Sequence, residues 1–143
     1  MPVLLVVEAD SAQRDLISAL LEKFEYSAVF VNSAQEALST VLSSETPFDA
    51  VLLDLKSPRS NEIETARTIR ELEREKGRTT PLIAMAACAS ELERIDPSEA
   101  CADDCLVKPF QPEDLRRMLL KWTYNPARPN LRILPPSRSL ESA

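Results

Sequence analysis

The sequence predicts an α/β doubly wound fold, five parallel strands flanked by five helices. Three observations carry that expectation. Short apolar runs alternate strictly with segments of helical periodicity. Those runs are continuously apolar, as strands are when both faces of a parallel sheet are covered. The 143 residues, 44% hydrophobic and 28% charged, also suit one globular domain of roughly 100–200 residues.

The elements follow in order. Val3–Val7 reads as the first strand. Ser11–Phe24 reads as a helix, with Leu16, Ile17, Leu20, Leu21 and Phe24 at helical spacing. Ala28–Val31 is a second strand, and Ser33 with Glu36 forms a capping box opening the next helix, which carries Ala37, Leu38, Val41 and Leu42. Ala50–Leu55 is the third strand. Asn61–Lys76 is the longest helix: Ile63, Ala66, Ile69 and Leu72 share a face, opposite the charged Arg67, Arg70, Glu71, Arg74 and Glu75. Gly77, the only glycine, stands where a helix C-cap favours one. Pro81–Ala86 and Cys105–Lys108 are the fourth and fifth strands. Between them Pro97 interrupts Ser90–Ala102, so the fourth helix is expected to be short or broken near Asp96-Pro97, or restarted there with Asp96 as cap. Pro112 opens the last helix, which carries Leu115, Met118, Leu119 and Trp122.

Composition excludes several function classes. The net charge of −6 argues against nucleic-acid binding by this module. Residues 1–123 hold 14 Lys/Arg against 22 Asp/Glu, and residues 124–143 hold three Arg against one Glu. One glycine cannot build a Gly-rich nucleotide loop, which removes the dinucleotide-dependent enzymes. No apolar run approaches the roughly 20 residues of a membrane span, and Met1-Pro2-Val3 lacks the basic start of a signal peptide. Cys88, Cys101 and Cys105, with no histidine anywhere, are expected to be free thiols in a reducing, cytoplasmic compartment. Three thiols without an imidazole make a poor zinc site, and the plainer reading is small buried apolar side chains.

In doubly wound sheets the functional crevice lies at the carboxyl ends of the strands. There the first strand delivers Glu8-Ala9-Asp10, the third Asp54 followed by Lys56 and Pro58, the fourth Ala86-Ala87 and the fifth Lys108-Pro109-Phe110. Buried charges need partners, and Lys108 is the natural partner of Asp54. Two readings stay open on these residues: an internal ion pair that fixes the sheet, or a phosphoryl-accepting aspartate whose phosphate the lysine holds.

Four segments, Leu4–Asp10, Asp49–Pro58, Pro81–Ala87 and Ala102–Phe110, in register from Val3 to about Trp122, resemble the receiver domain of two-component response regulators. The resemblance implies a flavodoxin-like sheet of order 2-1-3-4-5, a cytoplasmic bacterial signalling role, and a cis Lys108–Pro109 bond aiming the lysine into the crevice. It implies Asp54 as phosphoacceptor, Lys108 as the phosphate-binding lysine and Glu8 as the first of two magnesium-holding acids. The second acid falls on Ala9, the phosphate-gripping hydroxyl on Ala86, and the aromatic switch residue on Cys105. Glycines common in the family fall on Arg59, Glu62 and Cys101.

Those departures predict a damaged site. Glu8, Asp54 and the Lys56 backbone carbonyl remain for Mg2+, so its binding is expected to be weak. Asp10 is expected to serve as a helix cap instead. With no hydroxyl at Ala86 and no ring at Cys105, both usual contacts that distinguish two conformations are missing. The expectation is a pseudo-receiver that signals by protein–protein interaction with impaired Mg-dependent phosphorylation, and the alternative is a working phosphoacceptor in a phosphorelay. Catalysis is at most self-catalysed phosphoryl transfer to Asp54.

The resemblance also implies protein partners, a histidine kinase or another signalling protein. Receivers pair through the face of the fourth helix, fifth strand and fifth helix, so a dimer through that face is open; Pro97 makes it a remodelled docking face or a plain local irregularity. The Lys121-Trp122 ending looks like receivers attached to hybrid kinases. Residues 1–123 are thus the receiver domain, and residues 124–143, with Pro126, Pro129, Pro135 and Pro136, a Pro-rich extended or disordered tail. Leu131, Ile133 and Leu134 there fit either a docking segment or a solvated linker.

Overall fold

The computed structural model describes residues 2–45, 47–55, 61–86 and 102–123. The element order is β1 (Val3–Val7), α1 (Ser11–Lys23), β2 (Ser27–Val31), α2 (Ala34–Ser43), β3 (Ala50–Leu55), α3 (Asn61–Glu75), β4 (Leu82–Ala86), β5 (Asp104–Val107) and α4 (Pro112–Thr123). All strand pairings are parallel, in the order β2-β1-β3-β4-β5. This is the order expected of the flavodoxin-like fold. The stretch Ser90–Ala102, with the expected break at Pro97, reaches the described residues only at Ala102, and the tail from Tyr124 onward lies outside them, as do Cys88 and Cys101.

The sheet has apolar layers on both faces because its strand residues alternate between them. Leu4, Val6, Leu52, Ile83 and Met85 pack with Ile17 and Leu21 of α1 and Leu115 and Leu119 of α4. Leu5, Val7, Val51, Leu53 and Ala84 pack on the other side with Ala37 and Val41 of α2 and Ala66 and Ile69 of α3. Every residue of β3 and β4 is buried, and each such Leu, Ile or Met contributes about 2 kcal/mol on leaving water. Two leucines of the expected helical stripes stay outside, Leu16 at 49% exposure and Leu42 at 54%. At 100° per residue both lie about a third of a turn from the centre of their buried faces.

The caps set where the helices begin and end. Asp10 caps α1, its carboxylate accepting the Gln13 N–H at 3.2 Å. Ser33 caps α2 through the Glu36 N–H at 3.1 Å, while the Glu36 carboxylate accepts the Asn32 N–H at 2.6 Å. The box therefore closes one residue earlier than its reciprocal form. Gly77 adopts φ +71°, and the N–H groups of Gly77 and Arg78 donate to the carbonyls of Arg74 and Glu73 at 3.0 and 2.7 Å, stopping α3.

Two details depart from the sequence reading, in β5 and at Cys105, and a third, at Glu73, lies beyond it. Glu73 of α3 is buried, accepting from the Thr80 hydroxyl at 2.8 Å and lying 4.0 Å from Arg78. Strand β5 starts at Asp104 and ends at Val107, one residue earlier than expected at each end, although the Lys108 N–H still donates to the Ala86 carbonyl at 2.7 Å. Cys105 is a free, exposed thiol rather than a buried apolar side chain. Strand β5 is the sheet edge, so the face of Cys105 and Val107 has strand neighbours on one side alone. Among the described residues no helix is long and apolar enough to cross a membrane.

Candidate functional site

Parallel strands bring Glu8, Asp54 and Lys108 to one end of the sheet. Glu8 is the first residue after β1 and holds its place by donating its N–H to the Val31 carbonyl of β2 at 3.0 Å. Asp54 is the penultimate residue of β3, in register with Met85 of β4. Lys108 directly follows β5, and its bond to Pro109 is cis, as the family resemblance implied.

Their side chains meet. The Lys108 ammonium lies 2.6 Å from Asp54 Oδ1 and 3.3 Å from Glu8 Oε1. Glu8 and Asp54 are 1% and 4% exposed, so both charges sit largely out of water. Burying a charge costs several kcal/mol unless it is paired, and one ammonium here serves two carboxylates. The other Glu8 oxygen, Oε2, accepts the Asp10 N–H at 3.3 Å. The expected partnership of Asp54 with Lys108 is therefore present, and the sequence reading missed that Glu8 shares it. The signal was the extra methylene of Glu8, which lengthens its reach toward the lysine.

The remaining expected positions surround this triad differently. Ala9 and Asp10 are exposed, and Asp10 is committed to the cap of α1. Ala86 ends β4 fully buried, between Leu55 and Val107. Cys105 lies on β5 opposite Ala84. Partial burial raises its thiol pKa, and the neighbouring Asp104 carboxylate adds to the rise. Lys56, Arg59 and Cys101 lie outside the described residues, and of Glu62 only the backbone is described.

A second polar cluster joins β5 to α4. Asp104 accepts from the Trp122 indole N–H at 2.9 Å, from its neighbour's amide, the Cys105 N–H, at 2.9 Å, and from Lys121 at 3.4 Å. Burial would push the Asp104 carboxyl upward, but these donors together outweigh it and hold the group below its ordinary value.

With fold and site geometry established, comparison with known proteins assigns the family. The response regulator receiver domain matches residues 4–120. This chain belongs to that family, the signalling module of two-component systems. Transcriptional regulatory protein ResD of Bacillus subtilis is 35% identical over 112 residues, covering 78% of this chain and 44% of that protein. Sensor histidine kinase GacS of Pseudomonas protegens is 31% identical over 123 residues, 85% of this chain and 13% of that protein. The chain thus spans less than half the length of either. Among solved structures, the receiver domain of sensor histidine kinase PA1611 from Pseudomonas aeruginosa superimposes with a TM-score of 0.73 at 30% identity, over 85% of this chain and 97% of that one. That structure has a magnesium ion coordinated in its active-site cleft.

The described residues at the strand ends offer a divalent ion few ligands, and Lys56, whose carbonyl was expected to add one, lies outside them. Among the described residues no three acids or thiols come together to hold a metal. Magnesium needs about six oxygens in near-octahedral array at roughly 2.0–2.1 Å. The Ala9 side chain supplies none, Asp10 caps a helix, and Glu8 and Asp54 already share the Lys108 ammonium. A dication about 4 Å from that ammonium would be repelled by several kcal/mol at an effective dielectric near 20.

Proposed function

We propose that this chain is an atypical receiver, a protein–protein interaction module of a two-component-like system whose magnesium-dependent phosphorylation is impaired. The observation that carries the reading is the seat of Lys108 between Glu8 and Asp54, beside alanines at positions 9 and 86. Phosphoryl transfer to a carboxylate depends on positioning and charge neutralisation. In this pocket Ala9 removes a metal ligand, and Ala86 removes the hydroxyl that would grip a phosphoryl oxygen. Cys105, a small thiol, lacks the ring that reports pocket state. Output then comes from surfaces offered to a protein partner, a histidine kinase or another signalling protein in the cytoplasm. Nucleic acid is not a ligand of this acidic module, and chemistry at Asp54 is at most self-catalysed.

One observation favours a second reading, a working phosphoacceptor in a phosphorelay. Asp54 and Lys108 stand 2.6 Å apart, close enough for the lysine to hold a phosphoryl group on the aspartate. The two readings separate on intact-mass analysis after treatment with acetyl phosphate and magnesium, with Asp54→Ala as control. No phosphoryl adduct is expected. Prompt gain of one phosphoryl mass, lost in the Asp54→Ala variant, would make Asp54 a relay site and overturn the atypical reading.

A further inference from the structure

We infer that the Lys108 ammonium takes the place of a divalent cation in this pocket, so that the receiver is metal-independent, and that Ala9 is the residue that decides it. The inference rests on the receiver reading of the site and adds how its charge is balanced.

Three observations converge. The two acids left at the strand ends are both held by one ammonium, Asp54 at 2.6 Å and Glu8 at 3.3 Å. Glu8 is also engaged at its second oxygen, by the Asp10 amide at 3.3 Å, so both of its oxygens have donors from the chain itself. The one further acid in the segment, Asp10, is exposed and turned to the Gln13 N–H as the cap of α1. A cation entering here would displace the ammonium or lie against it, with no third carboxylate among the described residues to offset the repulsion. A carboxylate at position 9 changes that balance. It adds a hard ligand next to Glu8 and a third negative charge beside the Lys108 ammonium.

The metal-independent pocket is therefore stable without magnesium and indifferent to it. Ala9→Asp should lose thermal stability in chelator and regain it with magnesium. Because ligand charge count sets affinity for hard cations, its magnesium affinity should be at least about tenfold above that of the parent. Lys108→Met, which removes the competing ammonium and leaves Ala9 in place, should also respond to magnesium more than the parent does.

The test is a magnesium titration of the full chain and both variants at constant ionic strength. It is followed by thermal melting and by amide NMR signals of Glu8, Asp54 and Ala86. Expected is no saturable response in the parent up to millimolar magnesium, and saturable responses in Ala9→Asp and Lys108→Met. Should Ala9→Asp fail to fold in chelator, refolding on adding magnesium supports the inference, and the parent and Lys108→Met titrations carry the comparison. A saturable millimolar response in the parent, or folded variants as indifferent as the parent, overturns it. Phosphorylation with acetyl phosphate separates this from the functional reading. An adduct formed equally in magnesium and in chelator overturns the atypical reading and leaves metal independence standing. Saturable metal binding without an adduct does the reverse, and a magnesium-dependent adduct overturns both.

Discussion

Glu8 and Lys108, a hundred residues apart in the chain, stand 3.3 Å from each other at the carboxyl end of the sheet. Glu8 is all but inaccessible, and the lysine that neutralises it also neutralises Asp54. The contact makes Lys108 a stability determinant as well as a site residue. Lys108→Met leaves two acids at the sheet end without their shared cation. Removing one partner of a buried ion pair costs about 3–5 kcal/mol. Urea unfolding at neutral pH should show a loss of that size in metal-free buffer. A variant as stable as the parent at neutral pH would mean that water or backbone donors carry the two acids.

The framework of this site was legible because its determinants are local. Continuous apolar runs locate β1, β3 and β4 to within a residue, since strands covered on both faces leave no polar alternation to misread. Asp10, Ser33 and Gly77 were legible as caps because each satisfies backbone groups within a few residues of itself. What escaped depends on the third dimension. Glu73 belongs to a helix rich in charge, and its burial comes with partners brought in beyond the helix, the Thr80 hydroxyl and Arg78. The Cys105 thiol reads as a core residue until β5 is seen to be the sheet edge. Lys108 was assigned one partner because spacing shows which strand ends converge and not how far a glutamate reaches.

Exposure alone would make Cys105 reactive, yet its environment opposes ionisation. Partial burial of the sulfur raises the thiol pKa, and the Asp104 carboxylate raises it further. The thiolate is the nucleophile, so alkylation near neutral pH should be slower than for an unperturbed thiol. In a Cys88→Ser/Cys101→Ser background, the rate of iodoacetamide labelling should climb with pH past the ordinary thiol range. Asp104→Asn should quicken it at neutral pH by about twofold, since an exposed charge pair is worth a few tenths of a kcal/mol. A labelling profile centred below the ordinary thiol pKa would contradict this account.

Tyr26 joins the start of β2 to the end of α4, its hydroxyl 2.9 Å from the Thr123 hydroxyl. Burial pushes the phenol pKa up, and the hydrogen bond to Thr123 offsets only part of that rise. The folded state therefore holds the proton more tightly than the unfolded chain. A group raised in this way contributes stability that is fully present below its unfolded pKa of about 10 and is lost as pH rises through the folded value. Stability of the parent should accordingly fall in alkaline solution beyond about pH 10. In Tyr26→Phe the share of that fall due to this phenol should disappear. The same variant should lose about 1 kcal/mol at neutral pH, because the hydrogen bond to Thr123 goes with the hydroxyl. Urea unfolding of both proteins from neutral to alkaline pH measures the two effects together. Curves that run parallel throughout would show that Tyr26 ionises equally easily in the folded and unfolded chains.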